Sequence, residues 1–330
     1  MNLAKPNVHI RKAVKEDRQA LEKFNDIAFP DRKGGREFLD YRNTTNSTTY
    51  IVESEEKVVG IRVMLSQKMI YKEKLYNIVW STDTFLIEEY RGMGLGKALF
   101  QEMVNEFENC FTLNTGEKAT TIYLKNGFRK IGLLRYFFRP LKIRNFINFT
   151  IETVQKKEYK NEIQLNLYSS PNLINGFRKI ENVETFMKLF PVPDFSEKLQ
   201  AYKDKSYIEW RYFYKEDKYF IYAKEDSYFI FRTIFWKGMK CIMLVDFLGD
   251  VGLIYKSLKK IARINQFSGI LWASSELIVE KFLRKKLFIN YHSTPIISNI
   301  KLEDTNVSVA FHFSDSDLDF NYSNTPFIYL

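Results

Sequence analysis

The chain has 330 residues, is 45% hydrophobic and 27% charged, and carries a formal net charge of +10. That length exceeds one typical domain and suits two, each able to bury a core without covalent staples. Two cysteines, Cys110 and Cys241, and three histidines, His9, His292 and His312, argue against a disulfide framework or a zinc cluster, and no metal is expected.

In chain order, Val8–Lys12 reads as a short strand, and Glu16–Phe29 as a helix with Leu21, Phe24, Ile27 and Ala28 at helical spacing, stopped by Pro30. Thr48–Glu53 and Val58–Ser66 are β-rich runs split by the charged turn Ser54-Glu55-Glu56-Lys57, a hairpin signal. Leu75–Ile87 is a further strand. After it comes Arg91-Gly92-Met93-Gly94-Leu95-Gly96-Lys97, and then a helix with Leu95, Leu99, Phe100, Met103, Val104 and Phe107 on one face. Asn109–Leu113 reads as a strand, Glu117–Lys125 as a helix closed by Asn126-Gly127, and Phe128–Phe138 as a strand stopped at Arg139-Pro140.

The second half repeats this order. Phe177–Ile180 and Val183–Phe190 mirror the opening strand and helix; Tyr219–Ala223, Tyr228–Trp236 and Lys240–Leu248 mirror the antiparallel run. Gly252–Ile264, Gly269–Ala273 and Leu277–Leu287 mirror the later helix, strand and helix. The expected architecture is therefore α/β with mixed sheets, in two similar domains: residues 1–145, a crossover at 146–171, and residues 172–330. Where the first half has its glycine loop, the second has Asp246-Phe247-Leu248-Gly249-Asp250-Val251-Gly252, with two acids and no base. Only the first half is expected to hold a phosphorylated ligand.

Glycines at 92, 94 and 96 let backbone approach a bulky anion, and the first amides of the following helix have no intrahelical acceptors. Arg91 and Lys97 can add charge-assisted contacts. The Walker pattern fails because Ala98 follows Gly96-Lys97, and the dinucleotide pattern fails at its third glycine.

The segment from Asp83 to Leu99 resembles the signature of the GNAT N-acetyltransferase superfamily, Arg/Gln-x-x-Gly-x-Gly/Ala after a strand, through Arg91, Gly94 and Gly96. Tyr123 on a helix before Gly127-Phe128 resembles the family's second element. The resemblance covers roughly residues 8–140, and the repeat resembles a tandem arrangement in which the second copy has lost its cofactor loop. It implies acetyl-CoA or another acyl-CoA as co-substrate, its pantetheine arm held by backbone at Phe85, Leu86 and Ile87. It also implies direct transfer to a small-molecule amine, with Tyr123 protonating the departing thiolate.

Asp83 on the flanking strand is a candidate base, against a plain role as a hydrogen-bonded strand residue. Asn114 is a candidate contact to the cofactor, against an ordinary turn residue. Cys110 reads as a small core residue. In the second half Trp210-Arg211-Tyr212 and the acids Asp315, Asp317 and Asp319 stand out. The acids read as a solvated turn, or as one face of a strand that receives a cationic or hydroxyl-rich acceptor; as a metal site they lack the glycine and the further ligand of a calcium loop.

Lysines and arginines are spread along the chain and interleaved with acids, so neither nucleic acid nor membrane is expected as a partner. Without an apolar leader or a spanning run, a cytoplasmic location is expected. The acceptor is open, with an amino sugar favoured by the aromatic-rich second half. A Fem-type aminoacyl transferase and a non-catalytic acyl-CoA-binding protein are the alternatives.

Overall fold

A computed structural model of the chain describes residues 7–29, 47–113, 115–142, 147, 170–213, 219–304 and 307–315. Two compact units emerge. The first comprises Met1–Met69, Tyr76–Lys130 and Ile296–Thr305; the second comprises Ile70–Leu75, Ile131–Pro295 and Asn306–Leu330.

In the first unit, β1 (Val8–Lys12), β2 (Ser47–Ser54), β3 (Lys57–Lys72), β4 (Lys74–Leu86) and β5 (Cys110–Thr112) are neighbours in that order. The first three pair antiparallel, and β4 pairs β5 in parallel through Val79↔Cys110 and Ser81↔Thr112. Parallel neighbours need a crossover. Here it is α2 (Leu95–Glu106), which buries Leu99, Phe100 and Met103. α1 (Arg18–Ala28) packs Phe24 and Ala28 against Ile51, Ile61 and Val63 of the sheet. It starts two residues later than the hydrophobic pattern suggests. Asp17 accepts from the Val14 amide at 2.7 Å and from both terminal nitrogens of Arg11, so Lys15–Asp17 form a separate 3₁₀ turn. α3 (Glu117–Lys125) follows β5 and leads into β6 (Arg129–Pro140).

In the second unit the strand order is β7 (Leu173–Ile174), β8 (Phe177–Ile180), β10 (Phe220–Lys224), β11 (Ser227–Trp236), β12 (Met239–Leu248), β13 (Gly269–Ser274) and then β6. A short β9 (Ser196–Ala201) pairs in parallel with a late strand at Val309–Ala310. β12 and β13 are again the parallel pair, joined by α6 (Val251–Ile264), as β4 and β5 are joined by α2. The shorter α4 (Val183–Leu189) and α5 (Lys205–Ile208) precede β10, and α7 (Leu277–Lys285) precedes β14 (Ile289–Ser298). Each unit therefore contains one parallel strand pair joined by a helix.

One topological feature has no local signal. The first unit's sheet closes with the end of β14, through Ile297↔Thr112 and Ser298↔Phe111, and Asn299 Oδ1 accepts the Cys110 amide at 2.6 Å. The second unit's sheet closes with β6, through Leu271↔Phe138 and Trp272↔Phe137. Each unit therefore takes its last strand from the sequence that follows the other half's final helix. The crossover expected at 146–171 falls almost wholly outside the described residues.

The aromatic wealth of the second half goes into its core. Tyr222 stacks on Phe229 at 5.2 Å and Phe220 on Phe231 at 5.1 Å, and Phe247, Trp272 and Phe288 lie in the same buried cluster. These rings stabilise the unit by burying apolar area. They lend no support to a sugar-stacking surface.

Candidate active site

The glycine loop lies where the sequence places it, between β4 and α2. Gly92 and Gly94 hold φ of +84° and +83°, a region that residues with a Cβ resist. A Cβ built at either position meets nothing within 4 Å, so the loop faces open space. Gly94 is the N-cap of α2, and no side chain caps the helix there. The amides of Leu95 and Gly96, at the positive end of the helix dipole, are the first-turn donors without an intrahelical acceptor. The first-turn bonds Lys97 N and Ala98 N to the Gly94 carbonyl, both 3.0 Å, set the helix direction. Such a helix terminus suits a phosphate or other anionic group.

Arg91 has a second task. Its Nε donates to the Leu86 carbonyl at 2.9 Å and its guanidinium lies 5.3 Å from the Phe85 ring centroid, tying the loop to the end of β4. Phe85 also packs on Phe24 and Phe29, and Leu86 and Ile87 pack against core clusters. Their side chains anchor the strand end, so any contact to a pantetheine arm comes from their backbone. Met93 is exposed and Leu95 packs against the core. Asn114 lies outside the described residues.

Tyr123 is buried on α3, its ring edge-on to Phe100 at 5.2 Å and Phe128 at 4.9 Å. Its hydroxyl accepts a hydrogen bond from Arg62 and donates to Ser81 Oγ at 3.2 Å. Arg62 also donates to Ser81 Oγ at 2.9 Å. At 3% exposed it is a buried cation, and among the described residues no carboxylate pairs with it. Arg62 and Ser81 are absent from the sequence-derived site. Arg62 sits inside the apolar run of β3, where one arginine in a lysine-rich chain passes for a solvent-facing residue. Asp83 is buried two residues after Ser81 on β4, which places it on the same face of the strand.

The corresponding helix of the second unit is capped differently. The N-cap of α6 is Asp250, whose Oδ1 accepts the amides of Gly252 at 2.7 Å and Leu253 at 3.0 Å. The carboxylate fills an acceptor position that no side chain occupies at α2. The sequence signal for this was readable, since Asp directly precedes the apolar helical pattern.

Comparison with known proteins bears on the first unit directly: residues 45–130 match the family model described as the acetyltransferase (GNAT) domain. The chain carries a GNAT domain. Among solved structures, one similar chain is a GCN5-related N-acetyltransferase from Anabaena variabilis ATCC 29413. It has TM-score 0.59 and 15% identity, with 88% of this chain and 72% of that one covered. A probable N-acyltransferase from Enterococcus faecalis V583 gives TM-score 0.59 at 11% identity, covering 88% and 72%. Saccharomyces cerevisiae N-myristoyltransferase, solved with bound myristoyl-CoA, gives TM-score 0.61 at 13% identity, covering 94% and 84%. At such identities the likeness speaks for the fold. Among curated proteins none matches.

The GNAT domain includes Cys110, which is fully buried, and burial pushes its thiol up to about 12 despite the opposing charge of Arg62. It is a core residue, not a nucleophile. Beyond the GNAT domain, the two acids of the Asp246–Gly252 segment differ in setting: Asp250 caps α6, whereas Asp246 is fully buried on β12 and accepts from Lys203 Nζ at 2.7 and 2.8 Å. Tyr212 donates to it at 2.7 Å, Tyr228 at 3.3 Å and the Phe247 amide at 2.8 Å. Asp315 is not a solvated turn residue. It closes a buried 3₁₀ turn, Phe313–Asp315, with its Oδ2 accepting the His312 amide at 2.5 Å. Asp317 and Asp319 lie outside the described residues.

Burial opposes charge on Asp246, but Lys203 and the hydroxyl donors outweigh it and hold the carboxyl below the usual range. Burial likewise opposes Lys203's charge, and Asp246 outweighs it and raises the ammonium. Asp315 is raised, chiefly by burial. Arg211, 1% exposed, donates to the Ser314 carbonyl at 3.2 Å and to Tyr219 at 2.8 Å, so Trp210-Arg211-Tyr212 belongs to the same buried polar layer.

Proposed function

We propose that the chain is an acyl-CoA-dependent N-acyltransferase with one donor site, at Arg91–Lys97, and a small-molecule amine as acceptor. The carrying observation is the contrast between two helix termini of one topology. Gly94 leaves the amides of α2 to an outside anion, and Asp250 consumes those of α6. Gly92, Met93, Gly94, Leu95 and Gly96 would supply backbone to the diphosphate, with Lys97 adding charge. Acetyl-CoA is the proposed donor, and its thioester supplies the acyl carbon.

In the reaction the amine nitrogen forms a C–N bond to the acyl carbon, the C–S bond breaks, and the thiolate takes a proton. We assign the proton to Tyr123 and the amine's lost proton to Asp83. Arg62, bonded to the Tyr123 oxygen, is a positive charge placed where the phenol becomes negative on giving up its proton. Arg62 is therefore a positioning residue in this scheme.

Thiol release from acetyl-CoA, followed against a panel of amines, tests the assignment. Release with at least one amine is expected; no release with any would overturn the enzymatic reading. Tyr123→Phe should lower kcat by roughly 100-fold, the low end of a lost general acid, with KM for acetyl-CoA changed less than about twofold. It also removes one acceptor of a buried guanidinium, a cost of about 1–3 kcal/mol seen as a lower Tm. An unchanged kcat would return Tyr123 to a purely packing role.

A further inference from the structure

The charges that read as interleaved along the chain are concentrated in one place. Residues 251–287 hold eight Lys or Arg against Glu276 and Glu280 alone, which accounts for six of the ten net positive charges. Both acids are engaged: Glu276 with Lys198, and Glu280 with Arg135 and Arg284. This stretch is α6, β13 and α7, and the two helices pack side by side through Tyr255 and Phe282.

The outer side of α6 presents Lys256, Lys259, Lys260 and Arg263 around a groove of about 670 Å³. Among the described residues, none of the four pairs with a carboxylate. Lys259 also feels Arg139 and Lys286. After burial, repulsion from Arg263 and these two pushes its ammonium below the usual lysine range. A second groove, of about 630 Å³, continues through Arg139, Lys142 and Arg284 to Leu287 and Phe288. Arg284 is paired with Glu280, but Lys256, Lys259, Lys260, Arg263, Arg139, Lys142 and Lys286 have no carboxylate partner among the described residues, and such a gathering attracts an extended anionic surface.

Leu287 decides what kind of surface. It is 71% exposed and sits at φ +60°, a conformation that strains a leucine and returns no packing. At the matching point after α3 the first unit has Gly127, at φ +83°, so the turn itself asks for glycine. Ile264, at the end of α6, is also exposed. Nucleic-acid phosphates and soluble polyphosphates offer such side chains nothing apolar, whereas a lipid interface does.

We propose that the α6–α7 face of the second unit docks on an anionic lipid bilayer, its cations against the headgroup phosphates and Leu287 inserted at the interface. This is peripheral attachment: no helix among the described residues is long and apolar enough to cross a membrane.

Co-sedimentation of the full chain with vesicles tests it, independently of any acyl transfer. At near-physiological salt, partition onto phosphatidylcholine vesicles containing about one third phosphatidylserine should exceed that onto pure phosphatidylcholine by at least roughly tenfold. The triple variant Lys256→Glu, Lys260→Glu, Arg263→Glu should abolish the excess. Leu287→Gly should lower partition by about threefold while leaving Tm unchanged or raised, because the turn favours glycine. Equal partition onto both vesicles, or full binding by the folded triple variant, overturns the proposal. So does binding to duplex DNA without binding to vesicles.

Discussion

Lys203→Met should destabilise the chain by about 3–5 kcal/mol, the range for removing one member of a buried ion pair. The reason is the carboxylate left behind. Asp246 would stay fully buried, with Tyr212, Tyr228 and the Phe247 amide as donors but without its cation. Asp246→Asn strands Lys203 in the same way. The double variant should cost clearly less than the two single effects added, because neither charge is then unpaired. Urea unfolding of the three variants measures this, and strict additivity would contradict a coupled pair.

The same pair fixes a pH dependence. Asp246 is held below its unfolded value of about 4, so its contribution is present above that pH and lost as pH falls through the depressed value. Lys203 is raised above its unfolded value of about 10.4. Its contribution is complete below that pH and lost as pH climbs through the raised value. Asp315 works the other way: with its carboxyl raised, the folded state gains stability as acidification protonates it. Asp315→Asn should therefore lose stability more steeply than the parent chain between pH 7 and 4.

Gly94→Asp should weaken acetyl-CoA binding by roughly 100-fold or more while changing stability by less than about 1 kcal/mol. The substitution copies into α2 what Asp250 does for α6: a carboxylate at the N-cap competes for the first-turn amides and repels the diphosphate. Asp tolerates left-handed backbone better than most residues, so φ of +83° at Gly94 is not prohibitive. Gly94→Asn, equal in size and uncharged, separates charge from bulk and should lose much less affinity. Calorimetric titration of folded variants provides the numbers. Equal losses in the Asp and Asn variants would mean that the loop is only sterically sensitive.

Much of this was legible in the sequence, for identifiable reasons. The helices carry apolar residues at clear spacing, the strands are β-branched and aromatic, and their order repeats across the halves. The turn between β4 and α2 was legible because alternating glycines between a strand and a helix signal a backbone conformation that other residues resist. The exchange of closing strands was not, because pairing β14 with β5 and β6 with β13 is a long-range choice that no local pattern encodes. Arg62 and Lys203 were hidden because a buried cation looks in sequence like any surface one. Asp315 misled for the matching reason: alternating acids suggest solvent, and burial supported by the His312 amide leaves no mark on composition.

Calorimetric titration of the full chain with acetyl-CoA tests most directly whether the Arg91–Lys97 loop forms a single acyl-CoA site. One molecule should bind per chain, with binding lost in Gly94→Asp and unchanged in Asp250→Ala, which loses only a helix cap worth about 1 kcal/mol. No binding, two molecules per chain, or binding that survives Gly94→Asp would contradict it.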